Sequence, residues 1–185
     1  MKEIFMNNMF RILILTTTAL TIASPLYASD SEAVKSKVEY KKDGGYEASR
    51  TSEQTTTSGT TNTSNDSTNV DIDSKGYTEK TVKSETTSDP KGMMNKEKDN
   101  SETKVEEKAR GGYKQTTIRK HVDASGTNTT YKTMTDVDVD ANGNVTTTAT
   151  TEKTTDPKGM MNETTTKTKT KSINGKVIED TKKVN

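Results

Sequence analysis

The sequence predicts a mainly β protein: an extended antiparallel meander of long Thr-rich strands joined by D-x-x-G hairpins, in two tandem repeats. Three observations carry this expectation. A D-x-x-G tetrad recurs at Asp73–Gly76, Asp89–Gly92, Asp123–Gly126, Asp140–Gly143 and Asp156–Gly159, with a variant at residues 172–175. Between these tetrads lie stretches of about a dozen residues rich in Thr, Val, Ile and Tyr, the residues that favour strands, with no helical period. Residues 37–95 also align without gaps on residues 104–162 at an offset of 67.

The first 28 residues read as a signal peptide. Lys2 and Arg11 precede an apolar run at residues 12–23, which is too short to span a bilayer. Pro25 breaks the run, and cleavage is expected after Ala28, with Ala23 as the alternative. All four leucines and both phenylalanines lie in this segment. From Ser29 onward, 157 residues contain no Leu, Phe, Trp or Cys, and only 15 of them are Ile or Val. Such a chain cannot build a large apolar core. Its 26 basic and 26 acidic side chains balance, which argues against a nucleic-acid binder. The lack of Cys excludes a disulfide scaffold and a lipid-modified cysteine.

The first repeat is expected over residues 29–95 as a four-strand unit, with residues 49–69 a low-complexity stretch that is either a frayed strand pair or disordered. Residues 96–103 read as a charged linker. The second repeat follows at 104–162, and residues 163–185 form a C-terminal strand pair completing the sheet. Shared clusters include Gly-Gly-Tyr at 44 and 111, and Asp89-Pro90-Lys91-Gly92-Met-Met-Asn, repeated from Asp156, Pro157 and Gly159. Asp at the first turn position with Gly at the fourth suits a type I turn followed by a left-handed glycine. Gly76, Gly92, Gly126, Gly143, Gly159 and Gly175 are the expected turn glycines. The hairpin rule then predicts a register. With Asp140 paired to Asn144, Val139 faces Val145 and Val137 faces Thr147. With Asp156 paired to Met160, Lys153 faces Glu163, Thr150 faces Thr166, Thr148 faces Thr168 and Thr146 faces Thr170. With Ser172 paired to Lys176, Lys169 faces Glu179.

Few residues suggest chemistry. Asp136, Asp138, Asp140 and Asn142 resemble the opening of a calcium loop, and weak calcium binding is the one cofactor expectation. Ala149 stands where the closing acid belongs, and an alternating Val/Asp strand accounts for the pattern without a metal. The paired methionines at 93–94 and 160–161 offer thioethers, but adjacent strand residues point to opposite faces and cannot chelate as a pair. Thr164, Thr166, Thr168 and Thr170 form one row, with Thr146, Thr148 and Thr150 predicted beside it, a lattice of the kind that binds ice. His121 is the single histidine, and no catalytic motif accompanies it. An outer-membrane barrel lacks its lipid-facing row and aromatic girdles.

The resulting expectation is an exported, periplasmic or extracellular, non-enzymatic structural protein of the cell surface or matrix. Its expected partner is itself, through sheet edges, with no nucleic acid and no membrane span after processing. The alternatives are a soluble secreted binding module, for ice or a divalent cation, and a disordered Thr-rich spacer.

Overall fold

A computed structural model describes residues 29–92, 96–159 and 163–184, with side chains from residue 33. The predicted signal peptide and both Met-Met pairs lie outside the described residues. The fold is one sheet of ten antiparallel strands whose spatial order is the order of the chain. The strands are β1 (Ser29–Tyr40), β2 (Tyr46–Thr56), β3 (Thr61–Ile72), β4 (Thr78–Asp89), β5 (Glu97–Glu107), β6 (Tyr113–Val122), β7 (Asn128–Val139), β8 (Val145–Asp156), β9 (Thr164–Ile173) and β10 (Lys176–Val184). Strands β6, β7 and β8 each begin 67 residues after β2, β3 and β4.

Local chemistry at the connections explains why the chain reverses where it does. Asp140 N–H donates to the Asn144 carbonyl (3.0 Å), and Gly143 N–H donates to the Asp140 carbonyl (3.2 Å). The Asp140 carboxylate accepts from the N–H groups of Asn142 and Asn144, at 2.8 and 2.9 Å. Gly143 takes φ +81°, a left-handed conformation that strains any residue with a Cβ against its own following carbonyl. The same bonds close the connections at Asp73 and Asp123. Thr56 fills the aspartate's place before Gly59, its hydroxyl accepting from the Thr60 N–H at 3.1 Å.

Residues 49–69, for which order and disorder were both open, form most of β2 and β3 and pair along their length. The predicted linker is overturned: most of residues 96–103 belong to β5, which is paired to β4 on one side and β6 on the other. Its charges find opposite charges across the ladders. Lys98 meets Glu85 at 3.0 Å, Lys104 meets Glu79 at 3.0 Å, and Glu102 meets Lys83 at 3.6 Å.

The register between β7 and β8 is the predicted one, with Val139 opposite Val145 and Val137 opposite Thr147. The register between β8 and β9 is not. Thr155 pairs with Thr164, so Thr150 faces Lys169, Thr148 faces Lys171 and Thr146 faces Ile173. The connection takes residues 157–163 rather than the predicted three. This odd shift turns β9 over. Lys167 thereby stands opposite Glu152 (3.5 Å), and the Lys169–Glu179 pair (2.9 Å), internal to β9 and β10, comes onto the face that carries the other ion pairs. The last hairpin also differs. Ile173 pairs with Lys176 across Asn174 (φ +47°) and Gly175 (φ +79°), a two-residue type I′ turn rather than the three-residue loop expected from pairing Ser172 with Lys176. A bulge between Val177 and Glu179 follows, so Lys169 sits opposite Thr181 and meets Glu179 diagonally.

Alternation divides the side chains between two unlike faces. Nearly every ion pair among the described residues lies on one, from Lys37–Glu39 on β1 to Lys169–Glu179 on β9. The other face is dominated by Thr, Ser, Val and Tyr. Val70 on β3, opposite Tyr46 and Lys80, is the one buried apolar side chain among the described residues, at 6% exposure. Asp66 lies on the same face, also 6% exposed, between Arg50 and Ser84, and accepts from the Ser64 hydroxyl. Stability therefore rests on ladder hydrogen bonds and cross-strand pairs, each pair contributing roughly 0.2–1 kcal/mol.

Candidate functional site

The two predicted Thr rows do not form one lattice. Thr146, Thr148 and Thr150 share the charged face with Ile173, Lys171 and Lys169. Thr164, Thr166, Thr168 and Thr170 lie on the opposite face, against Thr155, Lys153, Thr151 and Ala149. An odd change in register separates rows that a three-residue turn would have joined. A different row was missed from sequence because it runs across strands. Val38, Ala48, Thr68, Val82, Thr103, Thr117, Thr133, Thr151 and Thr168 stand side by side on nine successive strands, without a charge. The Thr103 and Thr117 hydroxyls hydrogen-bond at 3.1 Å within it.

The acidic residues at the end of β7 are already engaged. The Lys108 ammonium pairs with Asp136 and, at 2.8 Å, with Asp138. Hydrogen bonds to these two carboxylates hold the Lys108 pKa above its ordinary value. Asp140 is spent on its own turn, where bonds from the Asn144 side chain and backbone hold its carboxyl below the usual range. Asn142 contributes its backbone N–H to that same turn. The four residues expected as a loose calcium site thus divide between an ammonium clamp and a turn. The clamp recurs 67 residues earlier, where Lys41 reaches Asn69 (2.6 Å) and Asp71 (2.5 Å).

The turn residues Asp73, Gly76, Asp123 and Gly126 cap strand ends in the manner of Asp140 and Gly143. In the Asp89-Pro90 and Asp156-Pro157 connections, Gly92 and Gly159 also take positive φ, +76° and +75°. The lysine before each of these glycines covers the glycine of a neighbouring turn: Lys91 lies over Gly59, and Lys158 over Gly126.

A cluster with mixed chemistry lies on the Thr face across β5 to β8. Asp99 on β5 stands opposite His121 on β6, and His121 Nδ1 lies 2.8 Å from the Asp99 carboxylate. That hydrogen bond raises the His121 pKa, against a smaller opposing effect of burial. One row along, Arg119 on β6 faces Tyr131 on β7, which faces Lys153 on β8. The Lys153 ammonium sits 5.3 Å from the Tyr131 ring centroid, a cation–π distance. Asp99, Thr117, Arg119, Lys120, His121, Tyr131 and Thr133 line a shallow depression of about 520 Å³, with Lys153 outside the lining. The sequence marked His121 only as solitary. Its partner lies 22 residues upstream, inside the stretch read as linker, so no local motif announces it.

No protein-family model, curated protein or solved structure matches the chain.

Proposed function

We propose that this is an exported, non-enzymatic structural protein of the cell surface or extracellular matrix, whose sheets join edge to edge. The observation that carries the reading is the open sheet itself. Ten long strands bury one apolar side chain among the described residues, while β1 and β10 each pair on one side only. Unpaired edges present a row of N–H and C=O groups to another strand. The even number of strands matters here. A copy translated along the sheet brings its β1 antiparallel to β10, so the meander continues across the junction. Such a head-to-tail contact is heterologous and does not close, which generates a filament. Bulges interrupt β1 between Ser29 and Ser31 and β10 between Val177 and Glu179, leaving residues 31–40 and 179–184 regular for pairing. One register that keeps like faces together sets Glu179 of one copy opposite Lys37 of the next.

Within each chain we read two tandem copies of a four-strand unit, linked mainly by D-x-x-G hairpins, with β9 and β10 completing the sheet. The shared offset of the strands and the paired lysine clamps at Lys41 and Lys108 support this. Export rests on the apolar run at residues 12–23.

Sedimentation velocity across a concentration series tests the proposal. Growth into a continuous ladder of species with unchanged β-type circular dichroism is expected. A single monomeric species at every concentration overturns it and favours a soluble binding module.

A further inference from the structure

We propose that the depression on the Thr face binds an acidic sugar unit, a ring bearing a carboxylate, with Arg119 in its lining as the anion-binding group, Tyr131 as its ring contact, and Lys153, outside the lining but beside the Tyr131 ring, as a second cation at its border. This inference does not depend on self-association.

Arg119 and Lys153 form no ion pair with a carboxylate among the described residues, and both stand against Tyr131 on the Thr face, one on each side in register. The acid nearest to them in register, Asp99, is taken by His121. Two cations therefore flank one aromatic ring on the open side of a sheet. The guanidinium offers a planar fork that matches a carboxylate, and an ammonium complements it as a point charge. Tyr131 is 40% exposed, so part of the ring is free to meet a ligand.

Size and lining point to more than a simple anion. A volume of about 520 Å³ falls in the range of small-molecule sites and exceeds what an inorganic ion fills. Thr117 and Thr133 add hydroxyls that both donate and accept, which suits the hydroxyl groups of a sugar. His121 stands at the rim, with Asp99 holding Nδ1 and leaving Nε2 as the ring's remaining polar atom. The whole chain carries a formal charge of only +1, so affinity for an anion has to come from a local arrangement.

Isothermal titration of the intact protein with an oligogalacturonate tests the assignment, with a neutral galactose oligomer and inorganic sulfate as comparison probes. Saturable binding of the oligogalacturonate is expected, weakened at least tenfold by Arg119→Gln and by Lys153→Gln. Lys132→Gln, on the opposite face, should leave it unchanged. Tyr131→Ala should weaken binding while the β-type circular dichroism persists. Four results would overturn the proposal: no saturable binding, equal binding of the neutral oligomer, sulfate binding as tightly as the oligogalacturonate, or equal loss in Lys132→Gln.

Discussion

Gly112 offers a sharp test of how the sheet is put together, because its backbone does not explain its identity. Its φ of −67° is open to any residue. What forbids a side chain is the neighbouring strand. A Cβ at Gly112 would stand 2.5 Å from the Val137 carbonyl oxygen and 3.4 Å from the Lys108 Cβ. Even close C–H···O contacts hold carbon and oxygen at about 3.3 Å or more. Gly112→Ala must therefore displace backbone by roughly 0.8 Å, and the oxygen it meets belongs to a strand rather than to a flexible side chain. Overpacking of this kind costs about 1–3 kcal/mol. Gly45, the counterpart 67 residues earlier, is tighter still, at 2.2 Å from the Val70 carbonyl oxygen. Gly143 provides the contrast. It takes φ +81° with nothing within 4 Å of its virtual Cβ, so Gly143→Ala should cost about 1–2 kcal/mol through backbone strain alone. Asn tolerates the left-handed region, so Gly143→Asn should recover most of that loss, while Gly112→Asn should recover none. Urea unfolding followed by circular dichroism measures all four variants. A wild-type midpoint for Gly112→Ala, or rescue of that position by Asn, would refute the steric account.

Three further outcomes follow from other parts of the sheet. Lys108→Gln removes the ammonium between Asp136 and Asp138, so millimolar calcium should raise the thermal midpoint of this variant and leave the wild type unmoved; equal calcium responses would contradict the clamp. Asp140 has a depressed carboxyl pKa, caused first by its bond to the Asn144 side chain. The stability it contributes is complete above the unfolded value of about 3.9 and is lost as pH falls through the folded value. Asp140→Asn should flatten that acid limb in a pH series of thermal midpoints, and an unchanged limb would count against the turn bonds. Gly159→Val should lower the thermal midpoint more than Thr168→Val, since Gly159 takes φ +75° while Thr168 occupies an ordinary strand position; equal shifts would remove the conformational argument.

Much of the architecture was legible because turn and strand signals are local. Asp140 and Gly143 sit at the turn positions their chemistry prescribes, and the Val139–Val145 register follows from that turn alone. The connection at residues 157–163 shows where local reading stops. Asp156-Pro157 and Gly159 announce a tight turn, yet the ladder closes only at Thr155 and Thr164. In the register that forms, Lys167 stands opposite Glu152, a match between strands that the turn residues do not announce. Asn174-Gly175 carried a stronger hairpin signal than the D-x-x-G rule that paired Ser172 with Lys176. The same limit hid β5, since a run of alternating charges looks like linker until Glu79, Glu85 and Lys83 stand opposite. It hid the Asp99–His121 pair and the clamp on Asp136 and Asp138 as well, because each joins residues more than twenty positions apart.

The central claim is that the open edges of this sheet join copies of the chain. Sedimentation velocity of purified residues 29–185 over a wide concentration range, compared with a variant carrying Ser36→Pro and Lys182→Pro, edge-strand positions whose N–H groups face away from the neighbouring strand, measures it most directly. Proline removes a donor from an edge and is tolerated there better than in a central strand. The account predicts a concentration-dependent series of assemblies for the unmodified chain, and a monomer with retained β signal for the variant. A monomeric unmodified chain with full β content at the highest concentration would contradict it.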